Sequence, residues 1–322
     1  MFRKLPVILT AEQLIDQSIG KTKKIRIPDR DLRYQTKKTI LARTESFVTN
    51  VVSKLELYVK EFPSLDQLPT FYQEIIDIKI DKNKLKQSLG AVDWARKTCQ
   101  MIYTKQSGSL RKTGNIDFLK QKQKEIYGRI SSVLHQIDKN LVFLAEAQNI
   151  MKKFPNIQDI PTIVIAGYPN VGKSSLLRQL SRAKPEIATY PFTTKQIIVG
   201  HNNIKTNFLT QPYQIIDTPG LLDRPIEKRN DIEKQAIAAL AYLADVIVFL
   251  IDPSETCGYT LKDQYNMLQQ IQNLFVNTPI LVVENKADII QTTTDTLKIS
   301  CENKQGIQTL KDELLKLLHP SK

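Results

Sequence analysis

The apolar run PTIVIAG, residues 161–167, passes without interruption into Gly167-Tyr-Pro-Asn-Val-Gly172-Lys173-Ser174, and then into SLLRQL. The run reads as a buried strand and SLLRQL as the start of a helix. Between them stands G-x-x-x-x-G-K-S, a phosphate-binding loop in the setting such a loop requires. A strand feeding a helix in this way commits the chain around it to an α/β sheet, with the ligand at the carboxyl ends of parallel strands. Gly172 lets backbone N–H groups approach phosphate oxygens, and the helix beginning there favours an anion at its N-terminus. The loop residues Pro169, Asn170, Val171, Gly172, Lys173, Ser174 and Ser175 are assigned to a nucleotide. Lys173 is expected to reach the β- and γ-phosphates and Ser174 to ligate Mg²⁺.

Further motifs follow in the order such a domain needs. YQII, residues 213–216, reads as a strand ending in Asp217-Thr-Pro-Gly220. An aspartate there can hold Mg²⁺, and the Gly220 N–H can sense a γ-phosphate. DVIVFLID, residues 245–252, and PILVVE, residues 279–284, read as two more buried strands. The second ends in Asn285-Lys286-Ala287-Asp288. A carboxylate at Asp288 can accept from both the ring N–H and the exocyclic amine of guanine. Adenine offers no such pair, so ATP would leave that carboxylate unpaired. Ser300-Cys301, closing the strand TLKIS, is the expected border of the base. KQIIVG, residues 195–200, is expected as an edge strand antiparallel to YQII.

The first half of the chain is different. Thr10 with Gln13 resembles a capping box opening a short helix, with Gly20 as its stop. A long helical pattern follows Pro28 and Asp29 and ends before Pro63; short helices follow near Phe71–Ile78 and Leu85–Ile102. Residues 106–115, QSGSLRKTGN, read as a polar loop, and one long helix is expected from about Ile126 to Lys153. About five helices therefore form a bundle over residues 1–158, ahead of an α/β domain over 159–322.

Charge divides along the same line. The chain carries 46 Lys+Arg and 33 Asp+Glu, and residues 1–160 hold 29 of the basic and 17 of the acidic side chains. Two clusters dominate: Lys21, Lys23, Lys24, Arg26, Arg30, Arg33, Lys37, Lys38 and Arg43, and Arg111, Lys112, Lys120, Lys122, Lys124 and Arg129. Solvated helix faces are one reading of these; as a set they point to a phosphate backbone. No signature of paired aromatics accompanies them, so base readout is not indicated. Three separated cysteines, with no C-x-x-C pair, argue against a disulfide framework and a cysteine-based zinc site, and fit a reducing cytosol. Three histidines make a His-built metal site improbable. The amino end has too short an apolar run for a secretory signal, and no stretch approaches the ~20 apolar residues of a membrane span.

The order GYPNVGKSS, PFTT, DTPG, NKAD resembles that of the Obg-related GTPases. The match sharpens over residues 221–264, LLDRPIEKRNDIEKQAIAALAYLADVIVFLIDPSETCGYTLKDQ, which looks like the nucleolar GTP-binding protein (Nog) branch. The resemblance implies a Ras-like P-loop GTPase domain behind a helical bundle. It implies GTP and GDP as ligands, Mg²⁺ held by Ser174, Asp217 and Thr194, and a catalytic set of Lys173, Thr194 and Gly220. Thr193 competes with Thr194 for the metal. An asparagine at the Asn170 position implies a K⁺ ion beside the phosphates. It further implies a role in assembling the large ribosomal subunit, with ribosomal RNA bound by the basic domain and ribosomal proteins as partners. Off the ribosome the protein is expected as a monomer, in the cytoplasm, and in the nucleolus only in a eukaryote. The length resembles a shorter archaeal form.

One departure bears on rate. Leu221 follows Gly220 where many small GTPases have a water-orienting glutamine. Hydrolysis is therefore expected to be slow unless a partner, an ion or the substrate helps. Two other readings stay open: a GTPase serving transfer-RNA modification, and a nucleotide-dependent scaffold with negligible hydrolysis.

Overall fold

A computed structural model describes residues 2–182, 185–189, 196–205, 210–223 and 237–318. The chain forms two compact units: residues up to 68 with 76–152, and residues 69–75 with 153 onward.

The first unit is helical. Its helices are α1 (Ala11–Lys23), α2 (Leu32–Glu61), α4 (Lys82–Lys112), α5 (Ile116–Gln136) and α6 (Asp138–Met151), while α3 (Thr70–Ile80) runs across both units. The Thr10–Gln13 capping box is present, with both reciprocal bonds made. Phe47, Val51, Leu55 and Tyr58 of α2, Leu85, Val92 and Cys99 of α4, Ile126 and Ile130 of α5 and Leu141 and Leu144 of α6 are almost wholly buried. These recur at helical spacing, so one stripe of each helix faces the same core.

Three helix boundaries differ from the sequence reading. Gly20 does not end α1, which runs on to Lys23. A glycine stops a helix by taking a left-handed conformation, and Gly20 is not among the glycines with positive φ. Residues 106–112 are not a loop but the last turns of α4. Ser107 and Ser109 turn their hydroxyls back onto the carbonyls of Thr104 and Gln106, and Leu110 is buried. The long helix expected to reach Lys153 is two helices, broken at Ile137 with φ −99° and ψ 6°. Ile137 is itself buried, so the apolar stripe continues through the break and periodicity does not reveal it.

The second unit holds one seven-stranded sheet in the order β2-β3-β4-β1-β5-β6-β7. Its strands are β1 (Thr162–Ala166), β2 (Glu186–Thr189), β3 (Gln196–Lys205), β4 (Thr210–Asp217), β5 (Val246–Ile251), β6 (Ile280–Glu284) and β7 (Leu297–Lys298). β4, β1, β5, β6 and β7 are mutually parallel. β3 pairs antiparallel with β4, and β2 antiparallel with β3. β3 is thus not the edge strand: Glu186–Thr189 covers its outer side, a segment too short to stand out in sequence. Around the sheet lie α7 (Lys173–Leu180), α8 (Leu261–Leu274) and α9 (Ile307–Leu318). β1 and β5 are buried at every position, as strands covered on both faces must be.

Residues 153–158, read from sequence as the end of the helical half, belong to this unit. The Tyr72 hydroxyl contacts the carbonyls of Pro155 (2.7 Å) and Ile157 (3.0 Å) and accepts from the Ile157 N–H (2.8 Å). Gln214, fully buried on β4, donates to the Gln158 carbonyl at 2.8 Å. Among the described residues, no helix is long and apolar enough to cross a membrane.

Candidate nucleotide site

The register of the sheet brings the motif loops to one edge. Ile165 lies beside Asp217 on one side and Val248 on the other, and Ile251 lies beside Glu284. The loops leaving β1, β4, β5 and β6 therefore open together at the carboxyl ends of the parallel strands.

The loop after β1 is built around two glycines that nothing else could replace without displacement. Gly167 has φ +136°, and a Cβ there would stand 2.6 Å from the Leu250 carbonyl oxygen. Gly172 has φ +104°, and its Cβ would stand 2.2 Å from Asn285 Nδ2. Asn170 is also left-handed, at φ 64°. Lys173 begins α7 and is almost wholly buried, its ammonium donating to the carbonyls of Gly167 (2.8 Å) and Tyr168 (2.7 Å). Burial pulls its pKa below the usual lysine range, against the nearby Asp217 carboxylate. An ammonium whose hydrogen bonds among the described residues go to neutral carbonyls is suited to an incoming anion.

Ser174 Oγ donates to Asp217 Oδ2 at 2.6 Å. Asp217 is fully buried, and its other oxygen, Oδ1, has no hydrogen-bond partner among the described residues; the same is true of Thr218 Oγ1. Burial pushes the Asp217 carboxyl above the usual range, with Ser174 and Lys173 opposing. A buried carboxylate with a spare oxygen beside a serine hydroxyl is a donor set for a hard divalent cation. Lys173, Ser174 and Asp217 line a cavity of about 400 Å³ with Pro169, Asn170, Gly172, Ser175, Pro219 and Asp223. Gly220 is the turn residue after Pro219, at φ +79°, and its N–H donates to Asp223 Oδ2 at 2.6 Å. Thr194, with Thr193 and the rest of PFTT, lies outside the described residues, as does the whole 224–236 run.

The loop after β6 is tied to the loop after β1. Asn285 is buried; its Nδ2 donates to the Val171 carbonyl at 2.8 Å, and its Oδ1 accepts from the Cys301 N–H at 3.1 Å. Lys286 takes a left-handed φ of 65°, with its ammonium on Asp252 Oδ2 (2.6 Å) and Thr256 Oγ1 (2.7 Å). Asp288 is exposed. Ser300 is buried and ties its own loop, its N–H on the Gln305 carbonyl and its Oγ accepting from Asn303. Burial lifts the Cys301 thiol to about 11, with the Asp288 charge adding to the rise. That thiol is neutral at physiological pH.

Every described site residue from the sequence reading thus lies on this edge. Sequence reasoning passed over Asp252, Gln264 and Glu284. Asp252 stands at the end of DVIVFLID, and a lone acid closing a six-residue apolar strand was the available signal. Glu284, buried at the end of β6, accepts from Thr292 and Thr294 and so secures the loop beyond Asp288.

The family model described as the NOG1 N-terminal helical domain matches residues 2–159, and that described as Nucleolar GTP-binding protein 1 (NOG1) matches residues 231–288. An uncharacterized Methanocaldococcus jannaschii protein, MJ1408, is 39% identical over 293 residues, covering 90% of this chain and 81% of that one. Nucleolar GTP-binding protein 1 of Drosophila melanogaster is 33% identical over 298 residues, covering 90% of this chain and 44% of that protein. A crystal structure of a Plasmodium falciparum protein named for nucleolar GTP-binding protein 1 is 35% identical, covering 52% of this chain and 91% of that one, with a TM-score of 0.45. The chain spans about half the length, or less, of the eukaryotic relatives it matches.

Proposed function

The chain belongs to the nucleolar GTP-binding protein 1 family, and from that premise we propose that it binds GTP and hydrolyses it slowly to GDP and phosphate, as a switch in assembly of the large ribosomal subunit. The observation that carries the nucleotide reading is the Asn285–Val171 bond. It joins a guanine-selecting N-K-x-D loop to a phosphate loop, as one ligand spanning both would require.

The roles follow from the side chains. Lys173 exchanges its two carbonyl partners for phosphate oxygens, and the N-terminus of α7 adds backbone donors. Ser174, Asp217 and Thr194 would hold Mg²⁺, which when bound supplies positive charge against the phosphates. Asn170, in the cavity, is the candidate support for K⁺. Asp288 reads the two donors of guanine. Leu221 is fully buried and apolar, so it cannot orient a water, and a slow intrinsic rate follows.

The helical unit supports an RNA partner. Residues 21–43 carry nine basic and two acidic side chains, and residues 105–129 carry seven and two. The fold brings these stretches to one end of the bundle. Arg43 donates to the Ile25 carbonyl, Tyr127 to the Arg43 carbonyl, and Gln123 to Thr44 and the Ile40 carbonyl. Tyr103, bonded to Arg111, lies within the field of Glu45. These contacts bring together stretches about 80 residues apart in sequence, which supports reading the two clusters as one basic surface of the kind that binds a phosphate backbone without reading sequence.

The test is GTP turnover by the full chain in KCl and in NaCl, with and without large ribosomal subunits. A slow basal rate, raised by subunits and higher in KCl, is expected. Absence of GTP binding, or turnover of ATP at an equal rate, would overturn the reading; equal rates in the two salts would remove only K⁺.

A further inference from the structure

The segment after β5, residues 252–260, has the sequence DPSETCGYT and touches both loops of the nucleotide site. Its first residue, Asp252, is fully buried and saturated with donors. Oδ1 accepts from the Ser254 N–H (3.1 Å) and hydroxyl (2.5 Å). Oδ2 accepts from Thr256 Oγ1 (3.1 Å), the Cys257 N–H (2.8 Å) and the Lys286 ammonium (2.6 Å). Burial favours the protonated acid, but the Lys286 ammonium and the Ser254 and Cys257 bonds outweigh it and hold the carboxyl below its ordinary range. Gln264 of α8, also fully buried, locks the frame: its Oε1 accepts from the Asp252 N–H at 2.8 Å, and its Nε2 donates to the carbonyls of Asp252 and Tyr259, each at 3.0 Å.

The far end of the segment meets the phosphate loop. The Tyr259 ring stacks on Tyr168 with centroids 4.1 Å apart and planes 28° from parallel. Tyr168 follows Gly167, and its carbonyl is one of the two that hold Lys173.

Lys286 is a residue that needs such support. It sits at φ 65°, a conformation a lysine keeps only where its surroundings impose it. Asn285 precedes it and Asp288 follows by two residues, so the Lys286 backbone sets the direction in which the Asp288 carboxylate leaves the loop. Two hydrogen bonds to guanine require both carboxylate oxygens in line with two donors, and a small tilt forfeits the second.

This inference rests on the guanine-nucleotide reading above. We propose that Asp252 is a positioning residue for base selection: by gripping Lys286 it fixes the orientation of Asp288, while Tyr259 steadies the phosphate loop separately through Tyr168. The two ends of one segment then serve two different features of the ligand.

Hypoxanthine separates the two roles, because it keeps the ring N–H of guanine and lacks the exocyclic amine. A residue of merely structural importance would weaken GDP and IDP alike. The experiment measures GDP and IDP affinity of the full chain by calorimetry, for wild type, Asp252→Asn, Tyr259→Ala and Tyr259→Phe. Asp252→Asn is expected to weaken GDP by about 10-fold or more and IDP less, so that the preference for GDP shrinks several-fold. Tyr259→Ala is expected to weaken both nucleotides equally, and Tyr259→Phe to behave as wild type. Should Asp252→Asn fail to fold by circular dichroism, Thr256→Val replaces it. Thr256 is exposed and bonds both Asp252 and Lys286, and its loss shifts the same ratio to a smaller extent. An unchanged GDP/IDP ratio in the folded variant overturns the proposal. Wild-type protein that shows no preference for GDP over ADP overturns the guanine reading itself, and the proposal with it.

Discussion

Asn285 donates a hydrogen bond to the Val171 carbonyl at 2.8 Å, and the side chain that makes it occupies the space a Cβ on Gly172 would need. The 114 residues that separate Asn285 from Val171 are bridged because β1 and β6 both flank β5. On the proposed reading, the contact links recognition of a base to the shape of the loop that receives phosphates.

Gly172→Ala tests that link. The added methyl would stand 2.2 Å from Asn285 Nδ2, on a backbone at φ +104°. The variant is expected to lose about 1–3 kcal/mol of stability, because a non-glycine residue is strained there. GDP affinity measured by calorimetry should fall by about 10-fold or more, since strain and the displaced Asn285 act together. Wild-type affinity in the variant would show that the link does not matter.

Asp217 supplies a pH test. Burial raises its carboxyl pKa, so the native protein takes up this proton more readily than the unfolded chain. The ionised form therefore costs stability at neutral pH, and the cost disappears as pH falls through the raised native value. Nucleotide-free Asp217→Asn is expected to melt higher than wild type at neutral pH, with the difference shrinking as pH is lowered. With Mg²⁺ and nucleotide the order reverses, because only the carboxylate rewards the cation. Parallel thermal melts with and without ligand check both halves, and a variant that melts lower without ligand contradicts the first.

Tyr72→Phe addresses the turn that leads into β1. The hydroxyl is buried, its pKa lifted to about 12, and it serves the Pro155 carbonyl and both backbone groups of Ile157. Its removal leaves those groups unsatisfied and is expected to cost about 1–3 kcal/mol by urea denaturation, with nucleotide affinity unchanged. A cost below about 0.5 kcal/mol would mean that water replaces the hydroxyl fully.

The basic end of the bundle is tested by salt. RNA affinity of the full chain should fall steeply and linearly with the logarithm of salt concentration, with a slope set by the number of phosphates neutralised. Replacing Lys21, Lys23, Lys24 and Arg26 with Glu should lower affinity further and flatten the slope. Adding changes at Arg111 and Lys112 should extend the same loss if the two stretches act as one surface. Filter binding across a salt series reads both, and an unaltered slope would return these charges to a role in solubility.

Much of the site was legible because its chemistry is local. A glycine-rich loop between a strand and a helix, a lysine at the helix start and an aspartate at a strand end announce themselves within a few residues, and Gly172, Lys173, Ser174 and Asp217 lie on one cavity as their spacing implied. Asp252 was not legible, since its partner Lys286 comes 34 residues later and only the pairing of β5 with β6 joins them. The helical unit shows the same contrast. The stripe from Ile126 to Leu144 announced burial, but the break at Ile137 was hidden because that side chain continues the stripe. Gly20 misled because composition alone does not say whether a glycine is left-handed.

The sequence by itself therefore determined the class of the chain: a helical basic half, an α/β half, and loops whose residue types suit phosphate, a divalent cation and guanine. Each of these is decided by backbone geometry or charge over a few neighbouring positions. The tertiary structure decided which distant groups meet. It merged two basic stretches at one end of a bundle and covered β3 with β2. It bound the base loop to the phosphate loop through Asn285, and set a buried carboxylate under Lys286. Those contacts depend on strand order and helix packing, which bring together residues tens of positions apart, and no local pattern carries that information.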